Sequence, residues 1–419
     1  MSTEGFAVNT SAFQPEAVSA ETESHAETEP EVITMFLKNV TMTVATEQPP
    51  DIFNKYDFVS FMQEFCPFTT NVDRVVTIIW YVIGFTGNIL SAKIWLDRRM
   101  RVNNSSAIYL AALSISDLIF LLLHTLQESE YAWGRTTLNH PVLCEAYFMF
   151  CLAVQYLSPI LVLAFTCERW IAVCHPFVKE KFCTTKRALR VVILLICACL
   201  ALGSMQAILW TYNAETDKCM LRESELLWKV WTWITEMLVF LIVPLVILIF
   251  NMLVIREVRH VSENGQRMML TSKSQTKSQN NTSAATTVML LSVSFYVIVT
   301  VLPATIVYAI YEEFPMGNTN MTEEQIRNDP VWQRYFGYYT FRKFIEEICI
   351  SHYACNIFLY ILTGAQFRKS LRRLYHQVIP KQFIKEDSFA TMNSNGTHKT
   401  SIRNVYTAVA VNGNNMTKV

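Results

Sequence analysis

Seven long apolar stretches dominate this sequence, and they constrain its fold more than any other feature. Each is about 20 residues long or longer, which is the length that an α-helix needs to cross the hydrocarbon core of a bilayer. Helices satisfy all their backbone hydrogen bonds within one segment, as lipid requires. The sequence therefore predicts an all-α membrane protein with a seven-transmembrane helix bundle. The stretches are 75–96, 107–126, 143–173, 188–212, 231–255, 286–310 and 341–362.

The composition agrees with a membrane protein and argues against other classes. The 419 residues are 52% hydrophobic and only 17% charged, whereas a soluble domain is about 25% charged. Because 35 basic residues balance 35 acidic residues, the overall charge gives no indication of nucleic-acid binding. No phosphate-binding glycine loop, metal-ligand cluster or nucleophile with a base is visible, so we predict that the protein is not an enzyme.

Charges beside the apolar stretches predict the orientation of the chain. Basic residues follow the first, third, fifth and seventh stretches, for example Arg98, Lys181, Arg256 and Arg372. The other connections are acidic or mixed. Because Lys and Arg are retained on the cytoplasmic side, we expect an extracellular N-terminus and a cytoplasmic C-terminus in the plasma membrane.

The chain outside the stretches is polar. Residues 1–71 are acidic and poor in apolar side chains, so we expect an extracellular disordered tail. Asn9 and Asn39 lie in Asn-x-Ser/Thr sequences and are the predicted glycosylation sites. The predicted organisation then continues with the bundle at 72–362, an amphipathic helix at 363–380 and a Ser/Thr-rich cytoplasmic tail at 381–419.

Two cysteines differ in position from those within the stretches. Cys144 begins the third stretch, and Cys219 lies in the connection between the fourth and fifth. Both are predicted on the oxidising side of the membrane, where disulfides persist. A bridge would hold this connection over the bundle, but the sequence alone cannot decide its geometry. Cys66 lies on the same side and has no obvious partner.

Motifs in most of the stretches resemble those of one family, the rhodopsin-like (class A) G-protein-coupled receptors. The resemblance covers about residues 75–380 and implies that 363–380 is the family's eighth helix. The motifs are Gly87-Asn88, Leu113-Ser114-Ile115-Ser116-Asp117-Leu118, Glu168-Arg169-Trp170, His175-Pro176, Pro244, Pro303 and Asn356-Ile357-Phe358-Leu359-Tyr360.

The resemblance implies a disulfide and a sodium site. The disulfide joins Cys144 to Cys219. A sodium ion is implied in the inactive state as the one cofactor, and a hydrogen-bonded polar core without an ion is the alternative. A carboxylate in the middle of a membrane normally marks a functional site. The sodium ligands implied are Asn88, Asp117, Ser158 and Asn356.

The resemblance also implies partners on the cytoplasmic side. Glu168 and Arg169 are expected to pair side by side until activation frees Arg169 for a heterotrimeric G protein. Receptor kinases and arrestin are expected at the Ser/Thr-rich tail, and the final Thr417-Lys418-Val419 fits a PDZ-domain ligand. The coupling residues implied are Glu168, Arg169, Trp170, Pro176, Asn356 and Tyr360.

Four positions depart from the family pattern. Ile357 stands where the seventh helix usually has Pro, and Val301 where the sixth usually has Trp. Cys197 and Met252 replace the usual Trp and Tyr of the fourth and fifth helices. These departures leave room for a receptor-like protein that does not couple.

Carboxylates and aromatic residues gather where the family binds its ligands. An amine receptor would have Asp where Cys151 stands, and an opsin would have Lys where Ile350 stands. The sequence therefore favours a short basic or amidated neuropeptide, and it resembles the FMRFamide-like receptors. A non-peptide ligand is the alternative. The candidate ligand-binding residues are Glu128, Tyr147, Gln155, Trp233, Glu236, Tyr308, Tyr311, Arg342 and Glu346.

Two questions stay open at this stage. Glu346 and Glu347 could receive an Arg or Lys of a peptide by charge-assisted hydrogen bonds, or they could pair internally with Arg342 or Lys343. A transporter or channel is the rival from another class, but neither broken helix pairs nor internal repeats are visible.

Overall fold

The computed structural model describes residues 50–102, 104–215, 218–221, 225–269, 277–378, 388–392 and 398–402. Asn9, Asn39 and the last three residues lie outside this part of the chain, so glycosylation and PDZ binding stay predictions. The chain divides after Gly364 into two units, and each is described by itself.

Seven long helices form the first unit, and each contains a segment long and apolar enough to cross a membrane. The predicted all-α fold is therefore confirmed. In chain order they are α1 Pro67–Leu96, α2 Ser106–Tyr131, α3 Leu143–Cys174, α4 Thr185–Leu209, α5 (Glu225–Glu236, then a π-helical segment Met237–Ile242, then Val243–Met269), α6 Lys277–Ala309 and α7 Pro330–Thr363. Shorter helices are Arg98–Arg101, Pro176–Phe182 and Glu323–Asn328.

The packing places α3 at the centre of the bundle. It contacts α2, α4, α5 and α6, whereas α7 packs against α1, α2 and α6. Glycines allow the closest approach of α1 to α7. A Cβ atom added at Gly84 would lie 3.2 Å from the Cα atom of Ala354, and one at Gly87 would lie 2.9 Å from Cγ2 of Ile357. Any larger residue at these positions would therefore push the two helices apart.

A hairpin covers one end of the bundle. Strand β1 (Trp210–Asn213) continues directly from α4 and pairs antiparallel with β2 (Lys218–Leu221). A disulfide joins Cys219 to Cys144 at the start of α3, which confirms the implied bridge. We call this end of the bundle the disulfide end. The opposite end, where Glu168-Arg169-Trp170 lie in the last turns of α3, is called the arginine end.

Residues 51–66 form a small helical structure that we call the cap. It consists of Ile52–Asn54 and Phe58–Phe65, so the prediction of a disordered tail is wrong for this part of 1–71. The reason is an aromatic cluster whose members are far apart in the sequence, so that no local pattern predicts it. Phe61 is fully buried against Trp332 and Phe336 of α7, with ring centroids 5.2 and 6.1 Å away.

Polar contacts also tie the cap to the connection between α6 and α7. Ile52 N donates to the Thr319 carbonyl at 3.0 Å, and Arg327 Nη2 lies 2.6 Å from Glu64 Oε1. Hydrogen bonds from Lys55 and Tyr56 hold the pKa of the Glu323 carboxyl below its usual value.

Cys66 lies at the end of the cap, directly before α1. Its thiol is free, and burial raises its pKa to about 11. It is therefore a packed apolar side chain, which explains why the sequence offers it no partner.

The second unit contains α8, Ala365–Val378. Its apolar residues Phe367, Leu371, Leu374 and Val378 recur at helical spacing among basic residues, in agreement with the predicted amphipathic helix. Strands β3 (Ser388–Met392) and β4 (His398–Ile402) pair as an antiparallel hairpin. The Ser/Thr-rich tail is thus not irregular throughout, because its Thr residues favour extended backbone.

Candidate functional site

Six charged side chains are buried together at the disulfide end. They belong to α1, α2 and α7, and each is at most 8% exposed. Burial of an ionised group is costly unless it is paired, so this cluster is a candidate site and not ordinary packing. Its members are Asp73, Glu128, Arg342, Lys343, Glu346 and Glu347.

The helical repeat of α7 explains why four of the six come from one helix. Residues 342, 343, 346 and 347 follow the i, i+3, i+4 spacing that places side chains on one face. Tyr335, Tyr338 and Tyr339 continue the same buried face toward the start of the helix. The predicted stretch begins at residue 341, whereas the helix begins at Pro330, where Asp329 accepts hydrogen bonds from the backbone of the first turn. The hydropathy of this extension was too low to mark it as a stretch.

Ion pairs inside the cluster show whether Glu346 pairs within the chain or is left for a ligand. Glu346 Oε1 lies 3.2 Å from Arg342 Nε, and Glu346 Oε2 lies 3.6 Å from Lys343 Nζ. Lys343 Nζ also lies 3.0 Å from Asp73 Oδ2 on α1. Internal pairing is therefore what the structure shows for Glu346.

The two remaining carboxylates have weaker partners. Glu347 Oε1 accepts a hydrogen bond of 2.6 Å from Thr77 Oγ1. Glu128 Oε1 lies 3.9 Å from His124 Nε2, an ion pair only if the imidazole is protonated. The other carboxylate oxygen, Oε2, of both Glu128 and Glu347 is buried without a hydrogen-bond partner.

Aromatic candidates line the same end. The Tyr308 hydroxyl donates to Glu346, and the Tyr311 ring lies 6.0 Å from the Arg342 guanidinium. The Tyr147 hydroxyl donates to Gln127 Oε1 at 3.0 Å. The structure therefore brings Tyr308, Tyr311 and Arg342 together with Glu346.

Two candidates lie at other places in the bundle, and of these Gln155 is buried and Glu236 is half-buried. Gln155 is 6% exposed on α3. Glu236, on α5, follows Thr235, whose hydroxyl accepts a hydrogen bond of 3.0 Å from Tyr156 of α3. Glu236 therefore lies beside the α3–α5 contact, away from the α1, α2 and α7 cluster.

The prediction that Trp233 lines a ligand site is wrong. Its side chain is 53% exposed, like its neighbour Ile234 at 59%. The buried residues of α5 follow the spacing Thr232, Thr235 and Val239, which turns residue 233 to the outer surface of the bundle. In a membrane this indole contacts lipid.

Three residues of this site are absent from the candidates. Asp73 is itself a member of the cluster, and Thr77 and His124 contact it from α1 and α2. Their signal in the sequence was polarity inside an apolar stretch. This polarity is weak evidence, because Asp73 precedes the predicted start of the first stretch and a Thr hydroxyl such as that of Thr77 is common in membrane helices.

A second polar group lies in the middle of the bundle. Asp117 is fully buried, and its two carboxylate oxygens accept hydrogen bonds from Ser158 at 2.9 Å and Asn356 at 2.8 Å. Asn88 instead donates to the Tyr353 carbonyl at 2.7 Å. Oδ1 of Asn356 is buried without a partner. Carboxylate, hydroxyl and amide oxygens are the donors that hard cations prefer, so these residues fit a sodium ion.

The arginine end differs from the predicted pairing. Glu168 accepts a hydrogen bond from Ser105, and Arg169 donates to Ser106. Both residues are described, and they form no direct ion pair with each other. The expected side-by-side pair is therefore wrong for this structure, because the serines at the start of α2 offer nearer partners to each side chain.

The other coupling candidates surround this end. The Trp170 ring lies 4.9 Å from His175 and 5.3 Å from Phe250 of α5. Pro176 opens the short helix Pro176–Phe182. Tyr360 is fully buried, with its ring centroid 5.5 Å from that of Trp95.

The four departures divide by exposure. Cys197 and Met252 lie on the outside of the bundle, Met252 with 52% exposure. Val301 is buried, and Ile357 packs into the space at Gly87. Only the last two can alter the interior of the bundle.

Comparison with a family model gives a match over residues 87–332. The family is described as "7 transmembrane receptor (rhodopsin family)". The matched region runs from α1 to the first turn of α7 and includes Asp117, Ser158, Glu168 and Arg169, whereas Asn356 and Tyr360 lie beyond it. It spans more than half of the chain.

Curated relatives show the same similarity. The chain is 24% identical to the C-C chemokine receptor type 1 of Homo sapiens over 73% of this chain and 79% of the relative. It is 30% identical to the pyrokinin-1 receptor of Drosophila melanogaster over 28% of each chain. It is 28% identical to the thyrotropin-releasing hormone receptor of Gallus gallus over 38% of this chain and 40% of the relative. The chain thus matches less than half the length of the last two, and the resemblance to FMRFamide-like receptors stays a prediction.

Proposed function

The chain belongs to the rhodopsin family of seven-transmembrane receptors, and on that premise we propose that it is a receptor for a short basic or amidated neuropeptide. It signals through a heterotrimeric G protein. As a multi-pass membrane protein of this family it has no catalytic role of its own. Agonist binding shifts the population toward a state whose arginine end admits the G protein.

The observation that carries the proposal is the excess of buried carboxylates at the disulfide end. Side chains that stay ionised within a membrane bundle are costly and mark functional sites. Glu236 on α5, together with the cluster of α1, α2 and α7, suits a ligand with positive charge. Receptors named for pyrokinin, thyrotropin-releasing hormone and a chemokine are among the relatives, and these names support a peptide.

The orientation follows from the same reasoning. The disulfide end faces the extracellular side, because a structural disulfide persists in an oxidising environment. The basic residues near the arginine end, including Arg98, Lys181 and Arg256, favour the cytoplasm. Arg169 is then the residue that meets the G protein after it leaves Ser106.

We further propose that a sodium ion is held by Asp117, Ser158 and Asn356. The ion would supply positive charge to a buried carboxylate, and the three side chains would orient around it. The expected result is a higher melting temperature in NaCl than in choline chloride for the purified wild-type chain. Loss of this difference in Asp117→Asn supports the site, and an equal difference in both proteins contradicts it.

The test of the receptor function is G-protein activation in cells that express the full chain, screened against a library of amidated neuropeptides. Arg169→Ala is the control, with surface expression measured by antibody. A response to one peptide family that Arg169→Ala abolishes supports the proposal. Silence across the library, with the protein at the surface, contradicts a peptide ligand and favours a non-peptide ligand or a chain that does not couple.

A further inference from the structure

The charges of the buried cluster do not balance among the described side chains. Four carboxyl groups are present, but only two basic groups accompany them. Both basic groups contact Glu346, and Lys343 also contacts Asp73. Glu128 and Glu347 therefore have no Lys or Arg as a direct ion-pair partner in this part of the structure.

The unbalanced carboxylates are also those with unsatisfied oxygens. Glu128 is 4% exposed and Glu347 is 6% exposed, and Oε2 of each is buried without a hydrogen-bond partner. A buried carboxylate oxygen left unpaired costs free energy. The two side chains are linked through α1, because Glu347 accepts a hydrogen bond from Thr77, and His124, which lies 3.9 Å from Glu128, shares a hydrogen bond with Tyr81 one turn after Thr77.

Nearby basic side chains are already committed. Arg74, the residue after Asp73, donates to the Ala132 carbonyl at 2.8 Å and to Gln63 Oε1 at 2.8 Å. His124 Nδ1 shares a hydrogen bond of 2.8 Å with the Tyr81 hydroxyl. Arg74 forms no ion pair with either carboxylate, and His124 pairs with Glu128 only if its imidazole is protonated. A cation from outside the chain would therefore balance the negative charge that the described side chains leave.

We propose that Glu128 and Glu347, beside the ion pair of Asp73 with Lys343, form a binding site for the cationic group of the ligand, an ammonium or a guanidinium, between α1, α2 and α7. This inference rests on the proposed function in that the ligand is basic. A guanidinium carries five N–H donors and no acceptor. It can therefore donate to more than one carboxylate oxygen at once, and charge-assisted hydrogen bonds of this kind are the stronger class. The site is distinct from Glu236 on α5.

Lys343 has a defined part in this site. It neutralises Asp73 from within the chain and leaves Glu128 and Glu347 for the ligand. The site therefore accepts one positive group of the ligand beside the ammonium group of Lys343. A neutral ligand group of the same shape would leave Oε2 of Glu128 and of Glu347 without a charged partner. The quantity to measure is therefore the difference in affinity between a positively charged ligand group and a neutral group of the same shape.

The experiment uses the full chain purified in detergent, with L-arginine amide and its neutral isostere L-citrulline amide as probes. Binding to the folded state raises the melting temperature in proportion to RT ln(1 + [L]/Kd). At ten times Kd we expect arginine amide to raise it by about 2 °C or more, and citrulline amide to give no rise.

Variants locate the site. Glu128→Gln and Glu347→Gln keep the shape of the side chain, and each is expected to weaken the apparent affinity for arginine amide at least tenfold. Glu312→Gln removes an exposed carboxylate from the same end and should leave the shift unchanged. The single variants are measured separately, so that loss of folding in one does not decide the result.

Three outcomes overturn the inference. They are an equal shift with both amides, no saturable shift with arginine amide, and a shift that survives both single variants but is lost in Glu236→Gln. Failure of the receptor function is distinguishable, because arginine amide would still bind through Glu128 and Glu347 although no peptide activates a G protein. A peptide response together with an overturned amide result would leave the receptor function and reject this site.

Discussion

Lys343 of α7 and Asp73 of α1 form a buried ion pair, with Nζ and Oδ2 3.0 Å apart. Lys343→Met leaves Asp73 as an uncompensated buried charge, which costs about 3–5 kcal/mol. We expect the melting temperature of the purified chain to fall by several degrees. Asp73→Asn combined with Lys343→Met should recover part of the loss, because both charges are then gone. A double variant with the summed loss of the two single variants would contradict a direct pair.

Glu236→Gln should weaken the potency of the peptide identified by the screen tenfold or more, equivalent to about 1.4 kcal/mol. The physical reason is the loss of a charge-assisted contact with a basic ligand group. Concentration–response curves for G-protein activation measure the effect at matched surface expression. Trp233→Leu is the matched control, because its side chain lies on the outer surface of the same helix and should leave potency unchanged. Unchanged potency in Glu236→Gln would remove this residue from the ligand site.

Phe61→Ala should release the cap from α7. Truncation of a buried Phe costs about 3–5 kcal/mol, and Phe61 contacts both Trp332 and Phe336 of α7. Hydrogen exchange measured by mass spectrometry should increase in residues 52–66 while the centre of α3 stays protected. Phe68→Ala is the control, because Phe68 is 70% exposed. Equal exchange in both variants would show that the aromatic cluster does not hold the cap.

Gly87→Ala should destabilise the bundle by about 1–3 kcal/mol, because the new Cβ atom meets Cγ2 of Ile357 at 2.9 Å. Ile357→Ala in the same chain should restore most of the loss, since it removes the atom in conflict. Thermal unfolding of the purified proteins provides the measurement. Gly337→Ala, where nothing lies within 4 Å of the added atom, should stabilise the chain by about 0.5–1 kcal/mol. A loss of similar size at both glycines would argue against a specific α1–α7 contact.

Ser106→Ala should raise basal G-protein activation several-fold. The hydroxyl accepts a hydrogen bond from Arg169, and a hydrogen bond to a charged group contributes about 1.5–3 kcal/mol. Its loss favours the state in which Arg169 is free. Activation is measured without ligand at equal surface expression. Ser292→Ala, which removes only a bond to the Val288 carbonyl of its own helix, should keep the wild-type basal level, and an equal rise there would reject the role of Ser106.

The sequence predicted the seven helices well, because each leaves a continuous apolar signal that depends on no other part of the chain. It failed where the deciding partner is distant. Lys343 and Asp73 are separated by most of the chain, so nothing local marks them as a pair. The cap was missed for the same reason, since Phe61 is buried by Trp332.

The error at Trp233 has a different origin. An apolar helix in a membrane shows little contrast between its inner and outer faces, so the direction of one side chain cannot be read from hydropathy. The order of Thr232, Thr235 and Val239 reveals the inner face only once burial is known. The predicted pair of Glu168 and Arg169 failed for a local reason, because Ser106 competes with Glu168 for the Arg169 guanidinium at short range.

The unbroken course of α7 has a mechanical consequence. Its 34 residues contain no proline after the first position, so the backbone hydrogen bonds can continue through Ile357 where a proline would interrupt them. At about 1.5 Å per residue the helix is about 50 Å long. The first turns of the helix pack against the cap, and its other end carries Tyr360. Because a continuous helix has no hinge, a small tilt of its first turns at Trp332 would displace Tyr360 at its other end.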